Sequence, residues 1–186
     1  MSQDRARYLH ELGIVDWVRR APAAMPAGIA DGRPSGRVQS EPVMSVVSSA
    51  PDQLAREQAI SGMDWDALTE AVRVCTACGL RAGCTQTVFG VGSRTARWMV
   101  IGEAPGADED RQGEPFVGRA GQLLNAMLAA IGLKREQAYI ANIVKCRPPK
   151  NRDPRPEEAG LCRPFLERQI ALIKPQLILA VGRIAA

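Results

Sequence analysis

Histidine is almost absent from this chain of 186 residues: the only one, His10, stands near the N-terminus. Ser-His-Asp and Cys-His machinery, HExxH zinc hydrolysis and Cys2His2 fingers all need imidazole in or near the core, so each is excluded. An enzyme built from this sequence works with carboxylates, amides, backbone groups or a metal. Long apolar runs are missing as well. No stretch approaches the ~18 consecutive apolar residues of a membrane span, and Asp4 and Arg5 are followed by no apolar segment of the kind a signal peptide carries. The expectation is a soluble intracellular protein. The common phosphate-binding fingerprints are absent too: there is no GK[ST] element and no GxGxxG, and Gly90-Val91-Gly92 precedes its strand instead of following it.

What is present is 46% hydrophobic and 24% charged residues, enough for one ordinary domain with a core and a tail. The charge is uneven. Residues 1–70 carry seven Lys/Arg against ten Asp/Glu, and residues 71–186 carry 17 against 10, so the basic excess lies in the C-terminal part and suggests a polyanionic partner. Five cysteines without a secretion signal point to metal binding or burial rather than to disulfides.

Residues 1–20 place Tyr8, Leu9, Leu12, Val15, Trp17 and Val18 at roughly helical spacing, an amphipathic segment that either packs on the domain or docks on a protein partner. Residues 21–60 turn to Ala, Pro, Gly and Ser with little periodicity, the composition of a disordered linker. Residues 61–186 then read as a domain. Asp64 is the N-cap of a helix over 65–74, and three apolar runs, 98–101, 138–144 and 177–181, alternate with helical stretches at 121–131 and 156–173, the second interrupted by Pro164. Strands alternating with helices predict an α/β domain with a largely parallel sheet, whose ligand crevice lies beyond the C-terminal strand ends. The chain stops at Ala186, in the first turn after a strand, which predicts a domain incomplete at that end.

The strand ends carry the unusual residues. Gly102-Glu103-Ala104-Pro105-Gly106 follows the first, with Asp108, Glu109 and Asp110 close behind. A carboxylate beside such a turn is a candidate for positioning water, against the plainer reading of a solvated acidic face. From Lys145 to Arg155 the basic residues Lys145, Arg147, Lys150, Arg152 and Arg155 meet three prolines and one acid, a stiffened cationic loop suited to phosphates. Cys75 and Cys78 have metal-ligand spacing, and Cys146 and Cys162 flank the basic loop. Four thiolates could hold zinc or an iron–sulfur cluster, spacing alone does not separate the two, and Cys84 could replace one of the four.

Together these segments resemble the family 4 uracil-DNA glycosylases, the iron–sulfur branch of that superfamily. The resemblance rests on Gly-Glu-Ala-Pro-Gly-Ala-Asp-Glu-Asp from Gly102, Gly-Glu-Pro-Phe-Val-Gly-Arg-Ala-Gly-Gln-Leu-Leu from Gly113, Tyr-Ile-Ala-Asn-Ile-Val-Lys-Cys-Arg-Pro-Pro from Tyr139, and the helix of Cys162, and it runs from about Cys75 to Ala186. It implies a three-layer α/β/α fold around a mainly parallel sheet, behind a helical and disordered N-terminal extension, and hydrolysis of the bond between uracil and deoxyribose in DNA. Carried over by position, Gly102, Glu103 and Ala104 would form the first pocket motif and place the attacking water. Phe116 would stack on the flipped base, Asn142 would read its edge, and Glu109 would lie near uracil C5. Cys75, Cys78, Cys146 and Cys162 would hold a [4Fe-4S] cluster, with Zn2+ as the alternative metal. The partner implied is uracil-containing DNA, bound by a monomer in the cytoplasm at the nucleoid and not at a membrane. Family members carry a later His-Pro segment and a leucine-rich wedge loop, and the sequence to Ala186 reaches neither. The competing reading is therefore an impaired or inactive iron–sulfur relative that grips DNA without releasing a base. The covalently linking branch of the superfamily is set aside, since its chemistry needs a loop histidine.

Overall fold

The computed structural model describes residues 50–185. The amphipathic segment 1–20 and most of the linker 21–60 lie outside the described residues. The end of that linker is corrected: α1 spans Ala50–Ser61. Its Gln-Leu-Ala-Arg-Glu-Gln-Ala run consists of good helix formers, and Pro51 falls in the first turn, where a missing N–H costs nothing. The helix is anchored from one side. Ile60 is 3% exposed, and Arg56 donates to the carbonyl of Leu161 at 2.9 Å while its guanidinium lies 5.0 Å from the Phe165 ring. The contacts run through a polar side chain as much as through apolar ones, and no apolar period shows in the sequence.

Asp64 caps α2 (Trp65–Arg73) as expected, accepting from the Ala67 N–H at 2.9 Å, and Leu68 and Val72, four apart, are both buried. The sheet follows: β1 (Val91–Gly92), β2 (Trp98–Gly102), β3 (Tyr139–Asn142) and β4 (Leu177–Ala180) stand in the order β1-β3-β2-β4. β2 pairs in parallel with both β3 and β4, as the sequence predicts, and the short β1 adds an antiparallel edge on β3 that it does not.

Side chains on a strand alternate between faces, and β2 and β3 are buried on both, whereas β4 is largely exposed. Val100 and Ile140 pack with Leu124 and Leu128 of α4 (Arg119–Ala130). Met99, Ile101, Tyr139 and Ala141 pack with Leu166 and Ile173 of α5 (Pro156–Ile173). Helices on the two faces make the three layers expected. A short α3 (Ala107–Gln112) bridges β2 to α4. Pro164 does not break α5. The carbonyl it leaves unpaired belongs to Gly160, which is exposed, so water reaches that end of the missing bond.

Candidate functional site

Gly102 and Asn142 are partners in the parallel register at the C-terminal ends of β2 and β3, the place where open α/β sheets bind ligands. A side chain at Gly102 would run into the Asn142 Oδ1 and would stand 2.5 Å from Cζ of Phe116. Glycine therefore lets an amide and an aromatic ring close on one spot. Asn142 is only 2% exposed, and its side-chain amide makes no hydrogen bond among the described residues. No fully buried side-chain nitrogen or oxygen lacks a partner there, so the amide opens onto the crevice. Glu103, next in line after Gly102, is partly exposed, with no hydrogen bond to its carboxylate among the described residues. Its carbonyl and that of Gly102 receive the N–H groups of Val144 and Ile143, at 3.3 and 2.9 Å, which extends the β2–β3 pairing past the strands.

Phe116 holds its ring there at a backbone cost. Its φ is 55°, a left-handed conformation that a bulky residue avoids unless its surroundings fix it. Gly121 permits the close turn, since any Cβ at that position would overlap the Phe116 carbonyl. Glu109 holds the next residues: its Oε1 accepts from the N–H groups of Val117 and Gly118, each at 3.0 Å, and its Oε2 from Gly106 at 3.1 Å. Burial alone would raise its pKa, but the donors at Gly118, Val117 and Gly106 outweigh it and hold the carboxylate below its ordinary value. Both Glu109 oxygens are committed to backbone amides, so the carboxylate braces the loop at Val117 and Gly118. Of its neighbours, Asp108 pairs with Arg111, and the buried Asp110 accepts from Thr85 N and Oγ1, each at 2.9 Å, fixing the segment after Cys84. Glu103 remains the carboxylate open to a ligand.

The basic segment divides. Lys145, expected to grip phosphate, is 2% exposed and points inward. Its Nζ donates to the Asn142 carbonyl at 2.9 Å and to Gln169 Oε1 at 2.7 Å, while Gln169 Nε2 donates to Phe89 O and Tyr139 OH. The chain turns into the protein after β3, and a long cationic stem is what reaches the strand's last carbonyl. Burial pushes the ammonium down to about 8, with Cys162 acting in the opposite sense. Arg152 forms a fork with Glu158 at 2.6 and 2.8 Å, clamping the loop to the start of α5. Arg147 donates to Asn151, and Lys150 and Arg155 are exposed. The surface offered to an anion is narrower than the sequence suggests.

Cys75, Cys78, Cys146 and Cys162 line one small cavity, together with Val72, Leu80, Val144, Lys145 and Phe165. Burial raises the pKa of Cys78, pushes Cys146 far up with Cys84 adding to the effect, and takes Cys162 up to about 11 against the opposing pull of Lys145. Two donors face the sulfurs: the Lys145 N–H lies 3.4 Å from Cys162 Sγ and the Arg56 guanidinium 3.8 Å from Cys75 Sγ. Among the described residues no three His, Cys, Asp or Glu side chains gather tightly enough for one metal ion. Arg135, which donates to the carbonyls of Pro115 and Phe116, and Gln169, which accepts from Lys145, contribute to these sites without appearing among the expected site residues. Neither had a spacing signal, since each acts through distant contacts.

Fold and site define an α/β protein that brings an aromatic ring and an amide together at the C-terminal ends of two parallel strands. The sequence profile of the uracil DNA glycosylase superfamily matches residues 89–186, and the chain belongs to that superfamily. It is 51% identical over 121 residues to the type-4 uracil-DNA glycosylase of Archaeoglobus fulgidus, covering 65% of this chain and 61% of that protein. For the type-4 enzymes of Thermotoga maritima and Pyrobaculum aerophilum the identities are 49% and 46%, over 63% and 67% of this chain and 62% and 63% of theirs. The chain therefore spans about three fifths of the length of these relatives. No described helix is long and apolar enough to cross a membrane.

Proposed function

We propose that this protein removes uracil from DNA by hydrolysing its N-glycosidic bond, the step that opens base excision repair. The observation that carries the reading is the Asn142 amide: nearly buried, without a partner among the described residues, and set against the Phe116 ring across Gly102. One acceptor and one donor of that amide match the N3–H and O4 of uracil in a single plane, whereas cytosine presents the opposite pattern. Stacking on Phe116 adds about 1–3 kcal/mol and does not depend on the base. The base must be extruded to reach this crevice, which is cheapest at a mismatch or in a single strand.

Once it is seated, the bond from C1′ to N1 breaks with its electron pair leaving on uracil. A water oxygen bonds to C1′, and the water's proton ends on the released base. The turn at Gly102, Glu103 and Ala104 holds that water, with Glu103 as its open carboxylate. Lys150, Arg155 and Arg147 face the DNA backbone, in the cytoplasm at the nucleoid.

Cys75, Cys78, Cys146 and Cys162 line one cavity and would hold a [4Fe-4S] cluster, with Zn2+ as the alternative, since four thiol donors suit either. Such a group supplies a brace between the helix α2 end and the basic loop, and no step of the hydrolysis passes through it. Brown protein with visible charge-transfer absorbance supports the cluster, and colourless protein with stoichiometric zinc overturns it.

The test of the activity is release of uracil from a single-stranded oligonucleotide, followed by cleavage at the abasic site. Asn142→Ala is expected to lower the single-turnover rate roughly 10²- to 10³-fold. Equal rates for variant and parent would remove Asn142 from the pocket, and a parent with no release would overturn the glycosylase reading.

A further inference from the structure

Phe116 is strained, and strain of this kind persists only where several contacts fix it. Glu109 takes the amides after the ring, at Val117 and Gly118. The carbonyls before and at the ring are taken by a residue that belongs to none of the motifs. Arg135, half-buried in the turn that leads into β3, donates through NH2 to Pro115 O at 2.5 Å and through NH1 to Phe116 O at 3.2 Å. The same NH1 nitrogen lies 3.2 Å from Asn125 Oδ1 on α4, which steadies the guanidinium from behind.

We propose that Arg135 is a positioning residue for the base-stacking ring: its fork and the Glu109 carboxylate grip opposite sides of the 115–118 loop and preset Phe116 against Gly102. The inference rests on the glycosylase reading for its kinetic consequence, not for its geometry. A planar fork is suited to take two successive carbonyls from one side chain, as a single ammonium is not. Arg135 also stands four residues before β3, and that strand ends in Asn142. The clamp on the ring thus precedes one buried strand, and the amide that faces the ring ends it. Preset geometry of this sort matters most where small displacements of a reacting group cost much rate.

The experiment uses the full chain with four substitutions, Arg135→Met, Arg135→Lys, Phe116→Ala and the double Arg135→Met/Phe116→Ala, and two readouts. Amide hydrogen exchange reads the clamp without reference to activity. In Arg135→Met the Val117 and Gly118 amides should exchange roughly tenfold faster while those of Val100 and Ile140 keep the parent rate. Single-turnover uracil release reads the role: Arg135→Met should lose roughly 10- to 100-fold, Arg135→Lys should recover part of it, and the loss should vanish when Phe116 is already alanine. Unchanged exchange at 117 and 118 overturns the clamp. Faster exchange with losses that simply add to those of Phe116→Ala overturns the positioning role. A parent without uracil release overturns the glycosylase reading instead, and the exchange result still decides the clamp.

Discussion

Residues 144–146, which line the cysteine cavity, follow closely on Asn142 at the strand ends, and the two regions are held by opposite means. Around the crevice, chain bonds to chain: Glu109 to three amides, Arg135 to two carbonyls, Lys145 to the carbonyl of Asn142. Around the cavity, four thiols line one space, burial holds the pKa values of Cys78, Cys146 and Cys162 above the ordinary thiol value, and two N–H donors are directed at the sulfurs of Cys162 and Cys75. The crevice is therefore defined by polypeptide hydrogen bonds. The cavity instead gathers thiols whose charged form is costly until a positive group binds it. Lys145 joins the two, with its backbone N–H on Cys162 and its ammonium on Asn142.

The largest effect should come from the cavity. With the proposed cluster in the cavity, Cys162→Ser or chelation should lower the melting temperature by more than about 10 °C, because metal binding is coupled to folding. Calorimetry checks it, and an unshifted transition would make the cavity as self-sufficient as the crevice. Lys145→Met tests the link: uracil release should fall roughly tenfold or more, since a buried acceptor at Asn142 loses its donor, whereas the salt dependence of DNA binding should stay at the parent slope. A reduced slope would return Lys145 to the phosphate-binding surface.

Glu109→Gln tests the crevice alone. Its carboxylate has a folded pKa below the ordinary 4.5, so its contribution is present above the unfolded pKa and is lost as pH falls through the folded one. The variant should melt a few degrees below the parent at pH 7, and the gap should close as the solution is acidified below pH 4.5. A gap independent of pH would mean that charge plays no part in holding the loop. The smallest effects belong to the loop cations. Lys150→Ala and Arg155→Ala should each reduce the salt slope of DNA binding by about one, and Arg152→Ala by less, since Glu158 already occupies its fork.

The alternation of strands and helices is legible in local pattern, whereas Phe116, Asn142 and the set of four cysteines come from the family resemblance that the motifs carry. What escapes the sequence depends on direction and distance. Lys145 sits in a basic run, and only the turn after β3 decides that it points inward while Lys150 points out. Glu109 belongs to an acidic cluster that reads as solvated until the loop at 117 and 118 folds over it. Arg135 meets its two carbonyls across about twenty residues of chain. The helix at Ala50–Ser61 shows too few apolar residues to announce that Ile60 and Arg56 dock on the domain.

The central claim is that the Asn142 amide faces the ligand and reads uracil by its edge. Titrating isotope-labelled protein with free uracil, and separately with cytosine, while observing the Asn142 side-chain NH2 resonances tests it most directly. The account predicts a saturable shift with uracil and none with cytosine. Resonances that stay in place with uracil, or move equally with both bases, would contradict it.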